Sequence, residues 1–225
     1  MIRTARITGL LYLALAVGGG LGFLLIRPQL SDGAATMANL VADPALARWG
    51  ITFELFTVLA QALAAVWFFR LFRASAPVAA GEIAAFGLAN AFAILISAAL
   101  LGAALTVAQS PYGDAASTVQ TLYLVSDQLW AVGGLFFGLW LIPMGWCVLR
   151  SGLMPRALGW VLIPGGVGYV LSAFLAYALP DAPLVADLLA YPATVGEFWM
   201  IGYLLILGVR RLPALAPVPV GAASA

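Results

Sequence analysis

Apolar residues fall into six long runs, at about residues 7–26, 50–69, 83–107, 127–149, 158–179 and 193–209. Short connections divide them, and the charged, proline and turn-forming residues collect there. Runs of about twenty apolar residues are long enough to cross the hydrocarbon of a bilayer as helices. The pattern predicts an all-α polytopic membrane protein, with six transmembrane helices within residues 1–212. The proline- and alanine-rich tail, 213–225, is expected to be disordered.

The connections sharpen this outline. Residues 27–49 form the longest, where Asp32 can cap a short helix through Ala42 with Ala35, Leu40 and Val41 on its apolar stripe. Ser110-Pro111-Tyr112-Gly113-Asp114 is a strong turn signal. Pro143 is expected to kink the fourth span, and Pro164 with Gly165, Gly166 and Gly168 to make the fifth bendable. The first run is longer than a signal-peptide core and lacks a small-residue cleavage site before Arg27 and Pro28, so it reads as a retained helix. Gly18 and Gly22 within it stand four apart, a spacing that admits a close helix neighbour but is also common in membrane helices generally.

Charge orients the bundle. The tight loop from Arg150 to Arg156 marks a cytoplasmic turn, because arginine in short loops is retained on that side. Alternation then places Arg3, Arg6, Arg70, Arg73, Arg150, Arg156, Arg210 and Arg211 inside, against one acid, Glu82. The outer half holds the other eight acids against Arg27 and Arg48. Both termini are therefore expected in the cytoplasm, with Arg70, Arg73, Arg150, Arg156, Arg210 and Arg211 setting the topology. Trp67, Trp146 and Trp160 at the inner ends, and Trp49 and Trp130 at the outer ends, fit interfacial belts.

Composition agrees and removes whole classes of activity. The chain is 64% apolar and 8% charged, against about 25% charged in a soluble domain. A net charge of +1 gives no field to recruit nucleic acid. There is no histidine and no lysine. That excludes a Ser-His-Asp triad, a histidine-ligated haem or zinc, and a Schiff base. The single cysteine, Cys147, excludes an intramolecular disulfide and reads as a small apolar packing residue. No glycine-rich phosphate loop, nucleophile elbow or metal-ligand cluster is present, so no cofactor and no metal are expected.

At RSGLMPRALG, together with RITGLLYLALAVGGGLG, LFFGLWLIPMGWCVLRSG and GEFWMIGYLLILGV, the chain resembles the bacterial membrane family catalogued as domain of unknown function 4386. The resemblance runs from about residue 3 to residue 210, and the arginine-serine-glycine-x-x-proline-arginine loop is its most specific part. It implies a six-span bacterial inner-membrane protein of unassigned activity and brings no catalytic or binding residues with it.

Ionisable residues within a span are costly and are functional candidates by default. Glu54 lies near the outer start of the second span and Glu197 near that of the sixth. Thr57 and Gln61 follow Glu54 on one helix face; Asn90 and Ser97 form a similar pair on the third span, and Asp127 and Gln128 open the fourth. One reading gathers Glu54, Gln61, Asn90, Asp127 and Glu197 into an outward-facing pocket for a cation, a proton or a small amphiphile; facing carboxylates suit proton-coupled work. The other makes each residue structural. Asp127 and the glutamates then answer the dipole of a helix start or pair with Arg27 or Arg48, and Gln61 and Asn90 bond between helices.

The expectation for function is a structural or regulatory partner subunit of a membrane assembly, not an enzyme. A small transporter or binding protein using the carboxylate pocket is the alternative, and a carboxylate-based intramembrane enzyme a second. The partners expected are the lipid bilayer and a membrane protein or a second copy of the chain, with no nucleic acid.

Overall fold

A computed structural model describes residues 1–181 and 183–210. The tail 213–225 and Arg211 lie outside the described residues. Seven helices account for the fold, and no strand occurs among the described residues. Helix α1 is Ile2–Leu30, α2 Thr36–Ala42, α3 Pro44–Phe72, α4 Pro77–Gln109, α5 Ala115–Ser151, α6 Arg156–Ala178 and α7 Pro183–Ile206. All but α2 are long and apolar enough to cross a membrane.

The six long helices alternate in direction and form a ring in chain order, α1 on α3, α3 on α4, and so on to α7, which returns to α1. Met1 and Arg210 share one end, here the terminal end; α2 and the 110–114 turn lie at the far end. The main core gathers Tyr12, Phe68, Trp140, Met144, Leu158 and Met200 from five helices, all buried. A second cluster at the far end joins Leu30, Leu40, Val119 and Tyr123, which seats α2 on the bundle through Leu40.

Several helices pack closely because glycine removes the side chain from the seam. On α5 and α6, Gly138 faces Gly166 and Gly145 faces Gly159. A Cβ placed on any of the four would come within 2.7–2.9 Å of the carbonyl oxygen opposite. Gly18 and Gly22 admit α3, with Thr57 and Phe53 against them. Between α1 and α7 glycine allows a close approach at the terminal end, where Gly9 meets Leu204 and Leu205, and just beyond α7 Gly208 meets Ile2.

The structure corrects the polar connection expected at 27–49. Helix α1 continues to Leu30 and α3 begins at Pro44, so only residues 31–43 lie between them. Asp32 makes no side-chain cap; its backbone N–H donates to Thr36 Oγ1, and Asp43 caps α3 by accepting from the Leu46 N–H at 2.8 Å. Of the stripe proposed for α2, Leu40 is buried and Val41 exposed.

The extension of α1 is not α-helical throughout. Gly20–Ile26 is a π-helical stretch. Five α-helical steps at about 100° each would leave Arg27 roughly 140° from Gly22, off the bundle face. The wider i→i+5 turn of a π-helix rotates Arg27 back toward the face of Gly22, and Gly22, Arg27 and Leu30 are all buried. Arg27 is therefore an interior residue, not a loop residue.

Candidate binding cleft

Around Arg27 the far half of the ring is polar and closed. Its guanidinium lies between Glu54 on α3 and Asp127 on α5, with Nη1 3.4 Å from Glu54 Oε1 and Nε 3.0 Å from Asp127 Oδ1. These are ion pairs by distance without the alignment of hydrogen bonds; the aligned bond runs from Nη2 to Ser126 Oγ. The Ser97 hydroxyl donates to Glu54 Oε2 at 2.9 Å and lies 2.6 Å from Ser126 Oγ. The indole N–H of Trp130 donates to Glu54 Oε1 at 3.3 Å. Glu54 thus has a cation and two neutral donors, and the void beside it is only about 10 Å³, room for no more than one water. It is a cross-brace between α1, α3, α4 and α5.

Glu197 on α7 stands in a different setting. Tyr12 Oη donates to its Oε1 at 2.5 Å across the ring. Tyr12 is held edge-on by Phe68 and Trp140, at centroid distances of 5.4 and 5.3 Å. The indole nitrogen of Trp140 lies beside the carboxylate without the alignment of a hydrogen bond. No arginine reaches Glu197: among the described residues the salt bridges are those of Arg27 alone.

Glu197 lines a cleft of about 570 Å³. Its lining comes from α1 and α7, from α5 and α6, and from Thr57 of α3. On α1 the lining runs from Tyr12 to Leu24, a length of roughly 18 Å. The cleft thus runs as a slot along about three turns of α1. Six aromatic residues line it: Tyr12, Phe23, Trp130, Phe137, Tyr169 and Phe198. Trp130 stacks on Phe23 at 4.4 Å. Asp127 lies toward the far end with its side chain 40% exposed.

The five residues proposed for one pocket are therefore divided. Asp127 and Glu197 line the cleft, joined by Thr57; Glu54, Gln61 and Asn90 do not. Gln61 and Asn90 are buried in the ring, Gln61 against Gly87 and Asn90 against Gly133. Neither Nε2 nor Oε1 of Gln61, nor Nδ2 of Asn90, has a hydrogen-bond partner among the described residues. Tyr12 and Ser126 are contributors that the sequence pattern did not single out, whereas Arg27 was one of the two arginines it offered as a partner for the acids. Trp130, expected in an interfacial belt, is a half-buried wall of the cleft. Trp146 and Trp160 are exposed near the terminal end as a belt requires, and Arg150 lies 5.3 Å over the Trp146 ring.

Among the described residues no group of histidine, cysteine or acidic side chains is placed to hold a metal ion. Fold and site together define a multi-pass α-helical membrane protein with a polar interior brace and a cleft between its first and last spans. Residues 7–208 match the family described as Domain of unknown function (DUF4386), and the chain belongs to it. No curated protein and no solved structure matches the chain.

Proposed function

We propose that this protein binds a small amphiphilic molecule in the cleft between α1, α5, α6 and α7. The observation that carries the reading is the cleft: about 570 Å³ is the size of ordinary small-molecule sites, which are largely apolar with a few placed polar groups. A lining of aromatic rings and small alanines, with Glu197 and Tyr12 at one end, has that character. Its position within the spans suits a molecule taken from the bilayer.

The test is native mass spectrometry of the protein purified in mild detergent. A small-molecule adduct is expected on the unaltered chain and not on Ala173→Trp, in which the indole fills the slot. No adduct, with a second polypeptide co-purifying instead, would overturn the reading in favour of a partner subunit without substrate.

The bacterial cytoplasmic membrane is the proposed location, with the terminal end inside. The exposed Arg3, Arg6, Arg73 and Arg210 at that end support it, since arginine is kept on the cytoplasmic side. A C-terminal alkaline phosphatase fusion is expected to be inactive; an active fusion would reverse the orientation.

A further inference from the structure

We propose that the occupant of the cleft is a monovalent organic cation with a slender apolar body, such as an alkyl amine or alkyl quaternary ammonium, its charged head at Glu197. The proposal rests on the reading of the cleft as a binding site and adds the chemical class of the ligand.

The protein supplies its own contrast. It holds two glutamates inside one ring. Glu54 is closed off with Arg27, Ser97 and Trp130 around it. Glu197 faces a cavity with one phenol hydrogen bond and no arginine. An ionised carboxylate away from water requires a partner of opposite charge, and here the space for that partner is the slot. Among the described residues Asp127 and Glu197 line it, and the nearby guanidinium of Arg27 is shared between Asp127 and the enclosed Glu54, so the local formal balance favours a cation.

The walls match the same chemistry. Aromatic faces attract ammonium groups, and most strongly where water is excluded. Tyr12 and Tyr169 lie near Glu197, while Phe23 and Trp130 flank the slot toward Asp127. Among the described residues no lysine or arginine lines the cleft to hold an anionic headgroup. A divalent metal ion fits poorly, because hard cations take six or more oxygen ligands and the walls are mostly apolar.

The experiment is isothermal titration calorimetry on the protein in lipid nanodiscs, with empty nanodiscs subtracted. The probes are hexyltrimethylammonium, neutral octanol and hexanesulfonate. The unaltered protein is expected to bind the cation at least tenfold more tightly than the alcohol, with no saturable sulfonate binding. Glu197→Gln should weaken the cation at least tenfold and leave the alcohol unchanged, which also shows the cleft intact. Ala173→Trp should abolish both.

Equal affinity for cation and alcohol, unaltered in Glu197→Gln, would overturn the charge assignment while the cleft remains a binding site. Saturable binding of none of the three probes would overturn both readings. Should Glu197→Gln fail to fold, the ranking of the three probes on the unaltered protein decides the matter alone.

Discussion

Replacing Arg27 by methionine removes the one cation in the polar brace while keeping the bulk of its stem. Glu54 would then be left with Ser97 and Trp130 as neutral donors, in a site where its side chain is 2% exposed. Breaking a buried ion pair from one side costs about 3–5 kcal/mol, chiefly because the remaining charge is stranded. Asp127 provides the internal comparison. It contacts the same guanidinium but is 40% exposed, and ion pairs open to water contribute about 0–1 kcal/mol. Arg27→Met should therefore lower the thermal midpoint in detergent well beyond Asp127→Asn. Adding Glu54→Gln to Arg27→Met should recover part of the loss, since the amide no longer strands a charge and still accepts from Ser97. The assay is a melting series on the four proteins, read by tryptophan fluorescence and confirmed by size exclusion. If Arg27→Met is no less stable than Asp127→Asn, or if the double variant melts no higher than Arg27→Met, the brace is not what ties α1 to α3 and α5.

The other predictions concern packing and access. Gly138→Val should cost about 1–3 kcal/mol by overpacking, because its Cβ would meet the Gly166 carbonyl at 2.7 Å; Gly102→Ala, whose Cβ meets nothing within 4 Å, should melt like the unaltered protein. Cys147 is fully buried, so a membrane-permeant maleimide should label it only after unfolding; rapid labelling of the folded protein would place it elsewhere. Tyr12→Phe removes the one hydrogen bond to Glu197 while preserving its edge-on contacts with Phe68 and Trp140. It should cost about 0.5–1.5 kcal/mol, or more if the carboxylate is ionised, again read as a melting shift.

The spans were legible because twenty apolar residues in a row have few other meanings. Most helical ends moved by one to six residues, but α5 begins at Ala115, not near 127, and α7 at Pro183, not near 193, because residues expected in the outer connections continue the helices. Arg27 was not legible. Read with a period of 3.6 it ends a span at the interface, and only the π-helical turn before it brings it inside. That misplacement concealed the partner of Glu54, although pairing of a glutamate with Arg27 was among the readings the sequence left open. Residues Glu54, Gln61, Asn90, Asp127 and Glu197 share a polarity, but depth was misread for Glu197. Expected near the outer start of its span, it lies fourteen residues into α7 and beside Tyr12 of α1, so it is deeper than Glu54. Angular position around the ring cannot be counted from sequence at all. Trp130 sits at belt depth yet faces inward, for the same reason. Signals for the close seams were present, since Gly18 and Gly22 stand four apart on α1; what lay opposite them was not.

The contact between α1 and α7 also dates the cleft within the life of the molecule. Tyr12 on the first of the six spans leaves the ribosome 185 residues before Glu197 on the last. Until α7 is inserted the slot lacks a wall and its deepest carboxylate, and the ring is open on one side. A nascent chain stopped after α6 would hold the Arg27 brace complete, since all its members precede residue 131, yet would offer a ligand no place to sit. Every residue of the brace is thus synthesised before the last wall of the cleft.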